Sequence, residues 1–182
     1  MSREITEELL KFVENGPTGF HAVRTMQEEL EDSGFIHIYE EDPWILQNGG
    51  KYYVTRNGSS LIAFMIPEIS INGFQIMASH SDSPTFKLKP DPEIDIEGHF
   101  VKLNVEKYGG MMMAPWFDRP LSLAGRLLTE ENGQITSRLV KVDRDLVLIP
   151  NLAVHMNRKA NDGYRYNPQI DMLPLFGGAD SK

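Results

Sequence analysis

The chain has 182 residues, 41% hydrophobic and 24% charged, which is enough for a buried core and excludes a disordered tail or a fibre. It has no cysteine, which removes disulfide scaffolds, cysteine zinc fingers, iron–sulfur clusters and cysteine nucleophiles. Eighteen Lys+Arg against 26 Asp+Glu give a formal net charge of −8, the wrong sign for a nucleic-acid partner.

Ile5, Leu9, Phe12 and Val13 recur at helical spacing with Glu7, Glu8 and Lys11 opposite, predicting a first helix. Asn15-Gly16-Pro17 stops it. Val23, Gln27 and Leu30 predict a second helix from about residue 20, with Gly34 placed to end it. The period then changes to strand. Ile36-His37-Ile38-Tyr39 is rich in β-formers, and Asn57-Gly58 between two apolar runs predicts a hairpin. Gly73-Phe74-Gln75-Ile76-Met77-Ala78 reads as a buried central strand leading into Ser79-His80-Ser81-Asp82. Lys89-Pro90-Asp91-Pro92 is expected to limit regular structure and to mark a boundary near residues 87–92.

Beyond it, residues 101–105, 121–129, 135–142 and 146–149 predict short strands, with a tight turn at Glu131-Asn132-Gly133-Gln134. Residues 167–178 suggest no closing helix or strand. No apolar run reaches the roughly 18 residues that a bilayer-crossing helix needs, and the opening Met1-Ser2-Arg3-Glu4 does not read as a signal peptide. No membrane partner and a cytoplasmic location are therefore expected.

His80-Ser81-Asp82 is the most informative local feature. In an extended segment, residues two apart point to the same side, so an imidazole and a carboxylate emerge together. A metal would use the imidazole nitrogen, with Asp82 orienting a ligand. A loop histidine bonded to a neighbouring carboxylate explains the same tripeptide. One histidine is not a metal site, since a catalytic zinc takes about three protein ligands.

Several stretches together resemble the M18 family of metallo-aminopeptidases, the aspartyl aminopeptidase family. They are Gly19-Phe20-His21-Ala22-Val23, Ala78-Ser79-His80-Ser81-Asp82-Ser83-Pro84, Tyr108-Gly109-Gly110, the block from Trp116 to Arg126, and the block from Pro150 to Arg158. They stand in the family's order and span most of the chain. The resemblance implies an α/β fold. Residues 1–90 would be the first part of an α/β zinc-exopeptidase-like catalytic domain. Residues 91–182 would be an inserted β-rich dimerisation (lid) domain, incomplete at its C-terminal side. It implies two metal ions per complete active site, Zn2+ with Co2+ or Mn2+ as alternatives, peptide substrates with N-terminal, often acidic, residues to release, and dimers that build a dodecamer. On it, His80 is a metal ligand, Asp82 its companion carboxylate, and His155 lies on a segment that reaches a partner subunit's active site and contacts substrate.

The family's other ligands, including an adjacent Glu-Glu pair, fall beyond the position matching Lys182. Glu7-Glu8, Glu28-Glu29, Glu40-Glu41 and Glu130-Glu131 are not in a metal-like setting. Two readings follow: an N-terminal portion of a metal-dependent aminopeptidase, inactive by itself, or a non-catalytic dimerisation and assembly module.

The remaining candidates carry structural expectations. His21 is expected to make a structural hydrogen bond, and His37 and His99 to be solvated strand-edge residues. Asp118-Arg119 is expected to form an internal charge-assisted pair, and Met111-Met112-Met113 an adaptable apolar patch. Gly109-Gly110 and Gly177-Gly178 lack the context of a nucleotide site. Ser79, Ser81 and Ser83 have no base that would make a nucleophile.

Overall fold

The structure, a computed structural model, describes residues 2–181. It divides into two compact units: residues up to 83 with 124–141, and residues 84–123 with those from 142 onward. The sequence suggested one crossing near residues 87–92. The observed path leaves the first unit after Ser83, returns for 124–141, and leaves again.

The first unit opens with helices α1 (Ser2–Asn15) and α2 (Gly19–Asp32). Thr18 caps α2: its backbone is extended and its hydroxyl accepts the His21 amide at 3.3 Å, satisfying one of the free N–H groups of the first turn. Gly34 follows the end of α2 at φ +81°, a left-handed conformation that glycine adopts without penalty, and its N–H bonds the Glu31 carbonyl. The apolar residues of α1 do not find the cover that their periodicity asks for. Ile5, Leu9 and Val13 remain exposed among the described residues.

The next elements are β1 (Ile36–His37), β2 (Lys51–Arg56) and β3 (Ser60–Met65), a sheet of order β1-β2-β3. The β2–β3 hairpin turns at Asn57-Gly58, both with positive φ, as their dipeptide predicts. As the middle strand, β2 buries Tyr52, Tyr53 and Val54 in succession, so both of its faces are covered. Tyr53 donates its hydroxyl to Glu31 of α2, and burial is the first cause that pushes its pKa up to about 12, followed by that bond. Strands β7 (Ala124–Glu131) and β8 (Gln134–Lys141) form a separate two-stranded ladder in this unit, turning at Asn132-Gly133 as expected.

The second unit is built on a five-stranded sheet. Its members are β4 (Thr85–Ile96), β5 (Phe100–Tyr108), β6 (Pro120–Leu121), β9 (Val147–Leu148) and β10 (Leu175–Gly178), in the order β4-β5-β10-β9-β6. Val101, Leu103 and Val105 alternate on β5, and the last two pack with Val147 against Phe86, Leu121, Leu146 and Phe176. Two expectations are corrected here. Regular structure does not stop at Pro90 and Pro92, because β4 runs through both. As an edge strand it can leave a proline nitrogen unpaired, and its register with β5 shifts between Leu88 and Glu93 to absorb them. The late residues do contain a strand, β10, which pairs with β5 and β9.

A third correction concerns residues 73–78. They form no strand, and Phe74, Ile76 and Met77 are exposed. A strand exists through the ladder on its flanks, and no described residue pairs with this run.

Candidate metal ligand and its surroundings

After β3 the first unit continues without regular structure to Ser83. Within this stretch, the Ser81 hydroxyl donates to the Ser59 carbonyl at 2.9 Å, tying the loop to the β2–β3 turn. The residues on either side of Ser81 fold toward each other. His80 Nδ1 lies 2.8 Å from the backbone carbonyl of Asp82 and 3.1 Å from its Oδ1. Both oxygens only accept at neutral pH, so the geometry requires the proton on Nδ1. The lone pair of the neutral imidazole is then on Nε2. That is the tautomer in which a histidine offers Nε2 to a metal while a carbonyl or carboxylate orients the ring. The His80 side chain is 81% exposed and that of Asp82 48%. The structure therefore brings His80 and Asp82 together, by a local turn rather than by the alternation of a buried strand.

His155 lies in the second unit, exposed on a turn in which the Met156 and Asn157 amides both bond the Ala153 carbonyl. Leu152, Val154 and Met156 beside it are exposed as well. An open cavity of about 370 Å³ in the second unit is lined by Pro120, Val147, Leu148 and Phe176, and one of about 330 Å³ in the first by His37, Tyr39, Trp44 and Tyr52. Neither is lined by His80, Asp82 or His155.

The other histidines divide. His21 is buried at the start of α2 with Nδ1 2.8 Å from the Thr18 hydroxyl, the structural bond that was expected. Burial lowers its pKa below the ordinary value, and Lys141 lowers it further. His99 is exposed, as expected. His37 is not merely solvated: it stacks on the Tyr53 ring at 4.6 Å and 4°. The expected Asp118–Arg119 pair is absent among the described residues. Asp118, at φ +56°, instead accepts the Asn151 amide at 2.9 Å through Oδ1.

Zinc chemistry needs about three protein ligands. Among the described residues, no group of three or more His, Asp or Glu is close enough to hold a metal ion. His80 presents one imidazole held by its neighbouring Asp82, and the described residues do not make a coordination set. The sequence reading weighed Ser81 only as a nucleophile and set it aside; its bond to the Ser59 carbonyl has no signal in the sequence.

An α/β assembly of mixed sheets and helices with an outward-facing imidazole is the class of protein this structure defines, and comparison with known proteins makes it specific. Residues 12–181 match the family described as aminopeptidase I zinc metalloprotease (M18). The chain is 43% identical over 183 residues to a probable M18 family aminopeptidase 2 of Clostridium acetobutylicum, covering 98% of this chain and 42% of that protein. Its fold matches the cryo-EM structure of the Ape4 and Nbr1 complex with a TM-score of 0.90 and 41% identity, covering 96% of this chain and 34% of that one. It also matches the S. cerevisiae mApe1 dodecamer with a TM-score of 0.79 and 31% identity, covering 94% of this chain and 38% of that one. The chain belongs to the M18 aminopeptidase family. It spans about two fifths of the length of the curated relative. Among the described residues, no helix is long and apolar enough to cross a membrane.

Proposed function

We propose that the protein carrying this chain is a zinc-dependent aminopeptidase that releases N-terminal, including acidic, residues from peptides in the cytoplasm. The observation that carries this reading is the His80–Asp82 pair, in which Nδ1 is occupied and Nε2 is available, within a chain that matches the family over residues 12–181. In this reading His80 is one ligand of a two-ion site that takes Zn2+, with Co2+ or Mn2+ as substitutes. Asp82 holds the imidazole and tunes its basicity. The remaining ligands and the general base come from the part of the relatives that this chain does not span. Residues 91–182 supply a dimerisation domain, dimers assemble into a dodecamer like that of mApe1, and His155 contacts substrate in a second copy.

The test compares two proteins. One is the 182-residue chain; the other is the same sequence completed to the relatives' length. Zinc content and release of N-terminal Asp, Glu and Leu from peptides are measured for both. The completed protein is expected to bind zinc and turn over, to lose both with His80→Ala, and to lose mainly kcat with His155→Ala. Zinc-dependent turnover by the 182-residue chain itself would refute the assignment of the missing ligands.

A second reading, a non-catalytic assembly module, is favoured by the absence of a three-ligand group among the described residues and by the exposed apolar residues of α1. Under it, the 182-residue chain forms a defined dimer by light scattering and carries no zinc.

A further inference from the structure

We propose that a closed ring of contacts in the first unit sets the orientation and tautomer of His80, with Ser81 and Arg126 as its positioning residues. The ring begins at the first turn of α2. The Arg126 guanidinium from β7 lies over the Phe20 ring, 4.1 Å from its centroid. This is stacking that a planar guanidinium makes well. The same group donates through Nη1 to both oxygens of Asn57, the backbone carbonyl at 3.0 Å and Oδ1 at 3.1 Å. Asn57 is the left-handed residue of the β2–β3 turn, at φ +54°. Two residues on, the Ser59 carbonyl accepts the Ser81 hydroxyl. The ring closes at Gly19, the neighbour of Phe20. A Cβ added there would stand 3.7 Å from the Ser81 carbonyl and 3.8 Å from Asp82 Cβ, so the loop passes close beside the helix start.

Each link alone is weak, since a single exposed hydrogen bond contributes only about 0.5–1.5 kcal/mol net. Their closure is what matters. The His80-Ser81-Asp82 loop has no ladder to hold it. The Ser81 bond, beside the start of α2, helps to keep the Asp82 carbonyl facing His80 Nδ1. Arg126 acts through the turn that presents the Ser59 carbonyl. This gives a role to the last residue of the Trp116-to-Arg126 block, which the sequence singled out without assigning. The value of an outward Nε2 rests on the reading of His80 as a ligand; the ring itself does not.

The experiment labels the five histidines of the 182-residue chain with 15N and reads the tautomer of each from long-range proton–nitrogen couplings. It is run at about pH 8.5, where imidazoles of ordinary pKa are neutral. His80→Gln assigns the signal. Wild type is expected to show Nδ1–H. Ser81→Ala is expected to convert about half of the population to Nε2–H, as a ring free to choose between tautomers would. Ser81→Thr, which keeps the hydroxyl, restores the wild-type signal. Arg126→Ala and Phe20→Leu move it in the same direction by less. A merely structural role would lower the melting temperature and leave the tautomer alone. The amide spectrum of each variant checks that it is folded, and the Thr and Leu variants keep the test open should an Ala variant unfold. Nε2–H in wild type, or an unchanged Nδ1–H in folded Ser81→Ala and Arg126→Ala, overturns the ring. A completed protein without zinc or turnover removes the ligand reading and leaves the tautomer result standing.

Discussion

Strand β2 and residues 73–78 have similar apolar content and opposite fates. Tyr53 on β2 is fully buried, while Phe74, Ile76 and Met77 are 86%, 81% and 93% exposed. The difference lies in the neighbours. β2 has β1 on one side and β3 on the other, and α2 supplies Glu31 to the Tyr53 hydroxyl. Residues 73–78 have no ladder partner among the described residues. Hydrophobicity creates a demand for cover, but backbone pairing and a packed face decide whether it is met.

The largest way to break this comparison is to empty the covered side. Tyr53→Ala is expected to destabilise the chain by about 3–5 kcal/mol, the range for truncating a buried aromatic. Urea unfolding measures it, and a loss near zero would mean that the burial of β2 is not what holds the first unit. A second, smaller effect is expected at Gly50, just before β2, where an added Cβ would run into the Tyr52 ring and hydroxyl. Tyr52 is buried and its hydroxyl accepts the Gln47 amide, so it cannot swing away without loss. Gly50→Ala is expected to cost about 1–3 kcal/mol as overpacking, again read by urea unfolding.

The same packed side should titrate. His21 has a lowered pKa, so folding favours its neutral form. Its contribution is fully present above the unfolded value of about 6.5 and is lost as pH falls through the lower folded value. Tyr53 behaves oppositely. Its raised pKa means a contribution present below about 10 and lost as pH rises through about 12. Melting temperatures of wild type, His21→Gln and Tyr53→Phe across these two windows are expected to show each variant with the flatter limb. The smallest effect belongs to the uncovered side. Phe74→Ser and Met77→Ser are expected to change the stability of the 182-residue chain by no more than about 0.5 kcal/mol. They should raise the concentration at which it begins to scatter light, since less apolar surface is exposed. A loss of several kcal/mol from either would show that residues 73–78 are buried after all.

Much of the fold was legible because it is local. The Asn57-Gly58 and Asn132-Gly133 turns, the second helix ending before Gly34 and the strand over residues 101–105 each depend on residues close in sequence. What misled the reading is non-local. Pro90 and Pro92 sit in a strand because that strand is at an edge, and edge position is a property of the sheet. β10 is short and glycine-rich, and only its pairing with β5 and β9 makes it a strand. The His80–Asp82 pairing was anticipated both from strand alternation and as a loop hydrogen bond, and the structure shows the loop bond. His37 stacking on Tyr53 and the tie from Ser81 to Ser59 had no signature at all, since each joins residues 16 or more positions apart.

The sequence by itself determined the family, through motifs whose order and content can be read along the chain. It also determined the turns, helix ends and strand periods, which are set by the conformational preferences of a few adjacent residues. Only the tertiary structure decided which apolar runs are covered, which strand lies at an edge, and which turn the Ser81 loop is tied to. Those depend on partners that distant segments supply, and a hydrogen bond or a packed face has no direction until both sides are in place.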